Sequence, residues 1–143
     1  PYNLIPVCKD CNFEKLDSRI DPNCAPLHPY YDDIDSYVWL ICYLSMSEGG
    51  ITAVFEVNEQ LEKDNFPLFQ RLTTHFRLSY SIQAATEIAE NHILWRDMLL
   101  DSGDSTFINY LHRCLESKET YQRNTWNTAL LRALIDNPYI LSD

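Results

Sequence analysis

From Tyr37 to Met46 the chain is rich in aliphatic, aromatic and β-branched residues. In an extended strand Val38, Leu40, Cys42, Leu44 and Met46 fall on one side and Tyr37, Trp39, Ile41 and Tyr43 on the other. Apolar residues on both sides predict a strand largely covered on both faces. Ser47-Glu48-Gly49-Gly50 interrupts the run, and glycine supplies the positive φ that a tight hairpin requires. Alternation resumes with Ile51, Ala53, Phe55 and Val57 against Thr52, Val54 and Glu56. The two segments predict an antiparallel hairpin. Two strands alone are marginally stable, so helices must pack on them.

The chain beyond Val57 changes period and supplies about four helices. Asn65 is placed to cap a helix with Pro67 in its first turn and Leu68, Phe69, Leu72 and Phe76 along one stripe. A longer helix is predicted from about Ser81 to Leu100, with Ala84, Ala85, Ile88, Ala89, Trp95 and Leu99 inward, ending at Ser102-Gly103. Behind an Asp104 or Ser105 cap, Phe107, Tyr110, Leu111, Cys114 and Leu115 recur at i, i+3, i+4, i+7 and i+8. Asn124 or Thr125 opens a last helix carrying Trp126, Ala129, Leu130, Ala133 and Leu134, stopped by Asn137-Pro138. The fold class is therefore α+β. Cys42 and Cys114, on apolar faces, are expected to be buried inert thiols, and His75, His92 and His112 to be edge-packed or solvated.

Composition narrows the reading. With 143 residues the chain has the size of one ordinary domain. Lys plus Arg number 11 against 21 Asp plus Glu, a formal net charge of −10. That balance disfavours gripping nucleic acid with this domain alone, because such a surface gathers positive charge to replace condensed counterions. A partner protein docking the acidic helical part, or a basic surface elsewhere, would have to deliver it to DNA. The same acidity also serves plain solubility. No apolar run approaches the ~20 residues of a membrane span. Five cysteines without an evident pairing scheme fit a reducing, cytoplasmic setting. No Gly-rich phosphate loop, nucleophile elbow or repeat is present.

The opening, Asn3-Leu4-Ile5-Pro6-Val7-Cys8-Lys9-Asp10-Cys11-Asn12-Phe13-Glu14-Lys15, is where the candidate chemistry lies. Two thiolates spaced as Cys8 and Cys11 point inward from a tight turn and suit zinc, which takes four ligands in a structural site. Cys24 and His28 are alternative donors for the other two places, giving Cys-x2-Cys-x12-Cys-x3-His. Pro22, Pro26 and Pro29 forbid the long helix that a small zinc finger presents after such a spacing. The acidic run Asp32-Asp33-Ile34-Asp35 lacks the spaced ligands and central glycine of a calcium loop, and reads as a turn leading into the first strand.

Asn-Leu followed by Pro, then Cys-x-x-Cys, Asn and a Lys three residues on, resembles the HNH endonucleases of the ββα-metal type, in the subfamily whose nuclease hairpin is braced by zinc-binding cysteines. His28-Pro29-Tyr30 with its acidic sequel, and Asn124 to Leu134 near the end, resemble that subfamily more loosely. The resemblance implies metal-dependent hydrolysis of DNA phosphodiesters: a His base activates water, and Mg2+ or Mn2+ neutralises charge at the phosphate. It implies Asn3 as the residue orienting the base, Asn12 as a ligand of the catalytic metal, and Cys8 and Cys11 as half of a structural Zn2+ site. Lys15, about one helical turn beyond Asn12, would contact phosphate, or is simply a solvated lysine.

The family's Asp-His pair has no counterpart, since no Asp-His dipeptide occurs in the sequence. Pro1 falls in mid-motif without an initiator Met, as expected of a piece of a longer polypeptide, and the piece alone is expected not to cut. Residues 1–31 are thus expected to be the second half of the nuclease and zinc-knuckle motif, and residues 32–143 the hairpin with its helices. A different class of function also fits: a zinc-knuckle interaction module closed by Cys8, Cys11, Cys24 and His28, with a protein partner on the helical part. A defence or toxin setting is a third.

Overall fold

Alternation and turn chemistry produce the hairpin where the pattern places it. The computed structural model describes residue 27 and residues 31–75, 80–102 and 104–141. β1 (Leu40–Ser47) and β2 (Gly50–Val57) pair antiparallel, with Ser47 opposite Gly50 and Glu48-Gly49 as the connection. The left-handed backbone falls on Gly50, at φ 105°, which opens β2. The register puts Leu40 opposite Val57, Cys42 opposite Phe55 and Leu44 opposite Ala53. These pairs share the inner face, where Leu40, Cys42, Ala53 and Phe55 are buried.

Helices cover that inner face: α1 (Gln60–Asp64), α2 (Phe66–His75), α3 (Ser81–Ser102), α4 (Asp104–Glu119) and α5 (Trp126–Asp136), with a 3-10 turn at Pro138–Leu141 after them. α5 lies on β1 and α3 on β2, while α4 packs against both α3 and α5. Leu72, Phe107, Leu111, Leu130, Leu134 and Leu141 meet in one core with essentially no exposure. Burying each such side chain contributes roughly 1.5–3 kcal/mol, and an edge-to-face contact between Phe55 and Tyr80, with centroids 5.6 Å apart, closes the β2 side.

Caps fall largely as the sequence suggests. The Asn65 side chain accepts the Leu68 N–H at 3.2 Å at the head of α2. Thr125 caps α5, its hydroxyl accepting the Thr128 N–H at 3.4 Å. Thr128, buried, donates its own hydroxyl to the Gln122 carbonyl at 2.7 Å. Asn137 ends α5 ahead of Pro138.

Three expectations are corrected. The sheet is covered on one face only: on the other, Tyr43 is 54% and Val54 49% exposed. The pair is too narrow to need two layers, because α3 and α5 both settle on the inner face. α1, five residues long, is an additional helix; its single buried side chain, Leu61, leaves no periodic stripe to read. Ala85 and Ala89 are exposed, since the inward side of α3 is Ala84, Ile88, Trp95 and Leu99. Among the described residues no helix is long and apolar enough to cross a membrane.

Candidate functional site

The residues that carry the candidate chemistry, Asn3, Cys8, Cys11, Asn12, Lys15, Cys24 and His28, lie outside the described residues. Leu27, one residue before His28, is half-buried and packs against the core. The lead-in to β1, from Tyr31 to Trp39, is the described segment nearest the candidate site in sequence.

This lead-in has little regular structure, so its polar backbone groups need partners from elsewhere. Asn124, just before the α5 cap, provides several of them. Its Oδ1 accepts the N–H of Trp39 at 2.9 Å and, less closely, that of Leu40 at 3.5 Å. Its Nδ2 donates to the carbonyls of Tyr37 at 2.9 Å and Ile34 at 3.3 Å. Arg123 adds a bond from Nη1 to the Asp35 carbonyl at 2.8 Å, and Asn58 one from Nδ2 to the Val38 carbonyl at 3.0 Å. The sequence marks Asn124 only as a possible cap. Nothing in its neighbourhood signals a bond across 85 residues.

The acidic run is a turn, as its composition suggests. Asp33 accepts the backbone N–H of Ser36 at 3.1 Å, and its other oxygen accepts the Ser36 hydroxyl. These bonds, the hydroxyl first, hold its carboxyl below the usual range. Asp32 faces Arg71 of α2 through two parallel bonds of 2.7 Å. Both side chains are about one quarter exposed, and the bidentate geometry fixes the lead-in against α2. A cleft of about 360 Å³ opens here between Tyr31, Tyr37, Asn65, Leu68 and the ion pair. With Asp33 beside the ion pair its balance is acidic, so it holds no field that would draw a polyanion.

A second cleft, about 220 Å³, lies between α3, α4 and α5 beside Glu87, Asn91, Trp95, Tyr110, Cys114 and Lys118. Burial leaves the Trp95 indole N–H without a hydrogen-bond partner among the described residues. Hydrogen bonding to the Cys114 thiol, then burial, raises the Tyr110 phenol above its usual range. The nearby Trp95 N–H pulls the other way without closing a bond of normal geometry. Cys114 is only half-buried, unlike the fully covered thiol expected, whereas burial pushes Cys42 up to about 12 and keeps it neutral.

Among the described residues no three His, Cys, Asp or Glu side chains converge as metal ligands. Asp32 and Asp33 are each engaged by Arg71 and Ser36. No protein-family model, curated protein or solved structure matches this chain.

Proposed function

We propose that this chain carries the second half of an HNH-type nuclease centre that hydrolyses DNA phosphodiesters, with a base supplied by residues outside these 143. The observation that carries the reading is the run from Asn3 to Lys15, in which two asparagines and a lysine hold the family's positions around Cys8-x-x-Cys11. The donor set suits the chemistry. The Asn12 carboxamide offers a hard oxygen of the kind Mg2+ or Mn2+ prefers, and the two thiolates suit zinc. Asn3 would orient the imidazole, Lys15 would steady phosphate as a point charge, and Asn12 would hold a metal ion whose contribution, when bound, is neutralisation of charge at the phosphate. The net charge of −10 favours delivery to DNA by a partner or a neighbouring basic segment, in a reducing compartment that keeps the thiolates available.

Plasmid nicking and zinc analysis test this together. These 143 residues incubated with supercoiled plasmid and Mg2+ or Mn2+ leave it intact. A chain that also carries an Asp-His hairpin ahead of Asn3 nicks it, and Asn12→Ala removes the activity. Nicking that tracks the 143 residues alone would overturn the missing base. One zinc per molecule, lost in Cys24→Ser or His28→Ala, together with no nicking by the extended chain, would replace the nuclease by the zinc-knuckle interaction module.

A further inference from the structure

The apolar residues of α3 split between two sides. Ala84, Ile88, Trp95 and Leu99 face the core. At 3.6 residues per turn, Ile82, Ala89, Ile93 and Leu100 fall within about 40° of one another, roughly 130° around the axis from that inward side. They lie in solvent: Ile82 is 80%, Ile93 65% and Leu100 62% exposed. With Thr86 and Arg96 they form the series Ile82, Thr86, Ala89, Ile93, Arg96, Leu100, whose alternating steps of four and three residues are the spacing of a two-helix seam. Thr86 fits such a seam because its hydroxyl donates to the Ile82 carbonyl at 3.0 Å, which leaves its methyl outward.

We propose that this stripe pairs with the same stripe of a second copy of this chain, antiparallel, about a twofold axis level with residue 91 but on the stripe side of the helix. The series is complementary to itself in that arrangement. Ile82 meets Leu100 of the second copy, Ala89 meets Ile93, and Thr86 meets Arg96, so the middle levels set small residues against large ones and each end closes on an aliphatic pair. The Arg96 side chain, 44% exposed and only loosely paired to Asp97 at 3.9 Å, then reaches toward Glu90 of the second copy. Two such contacts offset the approach of the two Glu90 carboxylates at the axis. The stripe is about 27 Å long, and pairing two of them buries on the order of 1,000 Å², the lower limit for specific association. At this size the dimer is expected to be weak, and it strengthens as salt screens the net charge.

Sedimentation equilibrium from about 1 to 300 µM, in about 0.3 M salt, tests the pairing. A monomer–dimer equilibrium is expected. Ile93→Glu weakens it at least ~30-fold by placing a carboxylate in the seam, with the far-UV circular dichroism unchanged because the site is exposed. Ile82→Asp weakens it as well, and Ile82→Asp/Leu100→Lys regains at least ~10-fold, because antiparallel pairing sets each new carboxylate against an ammonium. A wild-type chain that stays monomeric throughout overturns the proposal. So does Ile93→Glu associating as tightly as wild type, or a double variant no better than Ile82→Asp alone.

Discussion

The side chain of Asn124 accepts the backbone N–H of Trp39 at 2.9 Å and donates to the carbonyl of Tyr37 at the same distance, spanning both sides of Val38. One carboxamide thus replaces the strand partner that the lead-in to β1 lacks. Asn124→Ala strips several partly buried backbone groups of their partners and is expected to cost about 3 kcal/mol, lowering Tm by roughly 10 °C for a chain of this size. Thr125→Ala removes the α5 cap with the hydroxyl's bonds to the Gln122 carbonyl and the Thr128 hydroxyl, and costs about 1 kcal/mol. Differential scanning calorimetry of the two variants separates these roles; equal losses would mean that Asn124 does no more than cap.

The hairpin turn makes a sharper contrast between adjacent residues. A Cβ on Gly50 meets nothing within 4 Å, so the expected cost of Gly50→Ala, about 1 kcal/mol, comes from its φ of 105° alone. Gly49 does not have positive φ, and a Cβ there meets only Ser47 Oγ at 3.9 Å. Gly49→Ala is expected to stay within about 0.5 kcal/mol of wild type. Urea titrations that rank the two the other way round would refute the turn geometry.

Burial of Cys42 gives stability a dependence on alkaline pH. Its folded-state pKa is raised to about 12 from an ordinary 9.0, so the folded protein holds this proton where the unfolded chain gives it up. Above pH 9 the unfolded state binds fewer protons, and stability falls as pH rises toward 12. The Cys42 contribution is whole below pH 9. Cys42→Val, whose side chain cannot ionise, is expected to flatten this part of the pH profile. Iodoacetamide labelling with peptide mapping should modify Cys42 in denaturant and spare it in the native protein.

The Asp32–Arg71 pair offers a local rather than global readout. Asp32→Ala is expected to cost about 1 kcal/mol, the pair being partly exposed and bidentate. It also removes the brace between the lead-in and α2. The Ile34 amide, bonded to the Asp32 carbonyl at 3.1 Å, should then exchange its hydrogen faster. Unchanged exchange across residues 31–39 would show that Asn124, Arg123 and Asn58 hold this segment without the ion pair.

Features governed by neighbours a few residues apart are legible in the sequence. The two strands come from alternation, α5 from its stripe and its Asn137-Pro138 stop, and the head of α2 from Asn65. Other features depend on distant partners. One example is the outer sheet face, whose Tyr43 and Val54 look as apolar as any buried pair until the helices gather opposite them. Another is α3, whose apolar residues satisfy helical spacing on two sides, so that the pattern alone places Ala85 and Ala89 inward. The Asn124 and Arg71 contacts have no local signature. For the nuclease residues, motif spacing is the support, since the described residues begin beyond them.

The bond between Asn124 and Trp39 also sets a clock. β1 packs on α5 and its lead-in is tied to Asn124, yet the ribosome delivers Asn124 about 85 residues after Trp39. At ordinary elongation rates that is roughly 4 to 17 seconds. Throughout this interval β1 carries apolar side chains that α5 has yet to cover. Among the described residues the first strand is consequently among the last pieces to be secured, and nascent chains stalled before Asn124 should bind chaperones through Leu40 and Cys42.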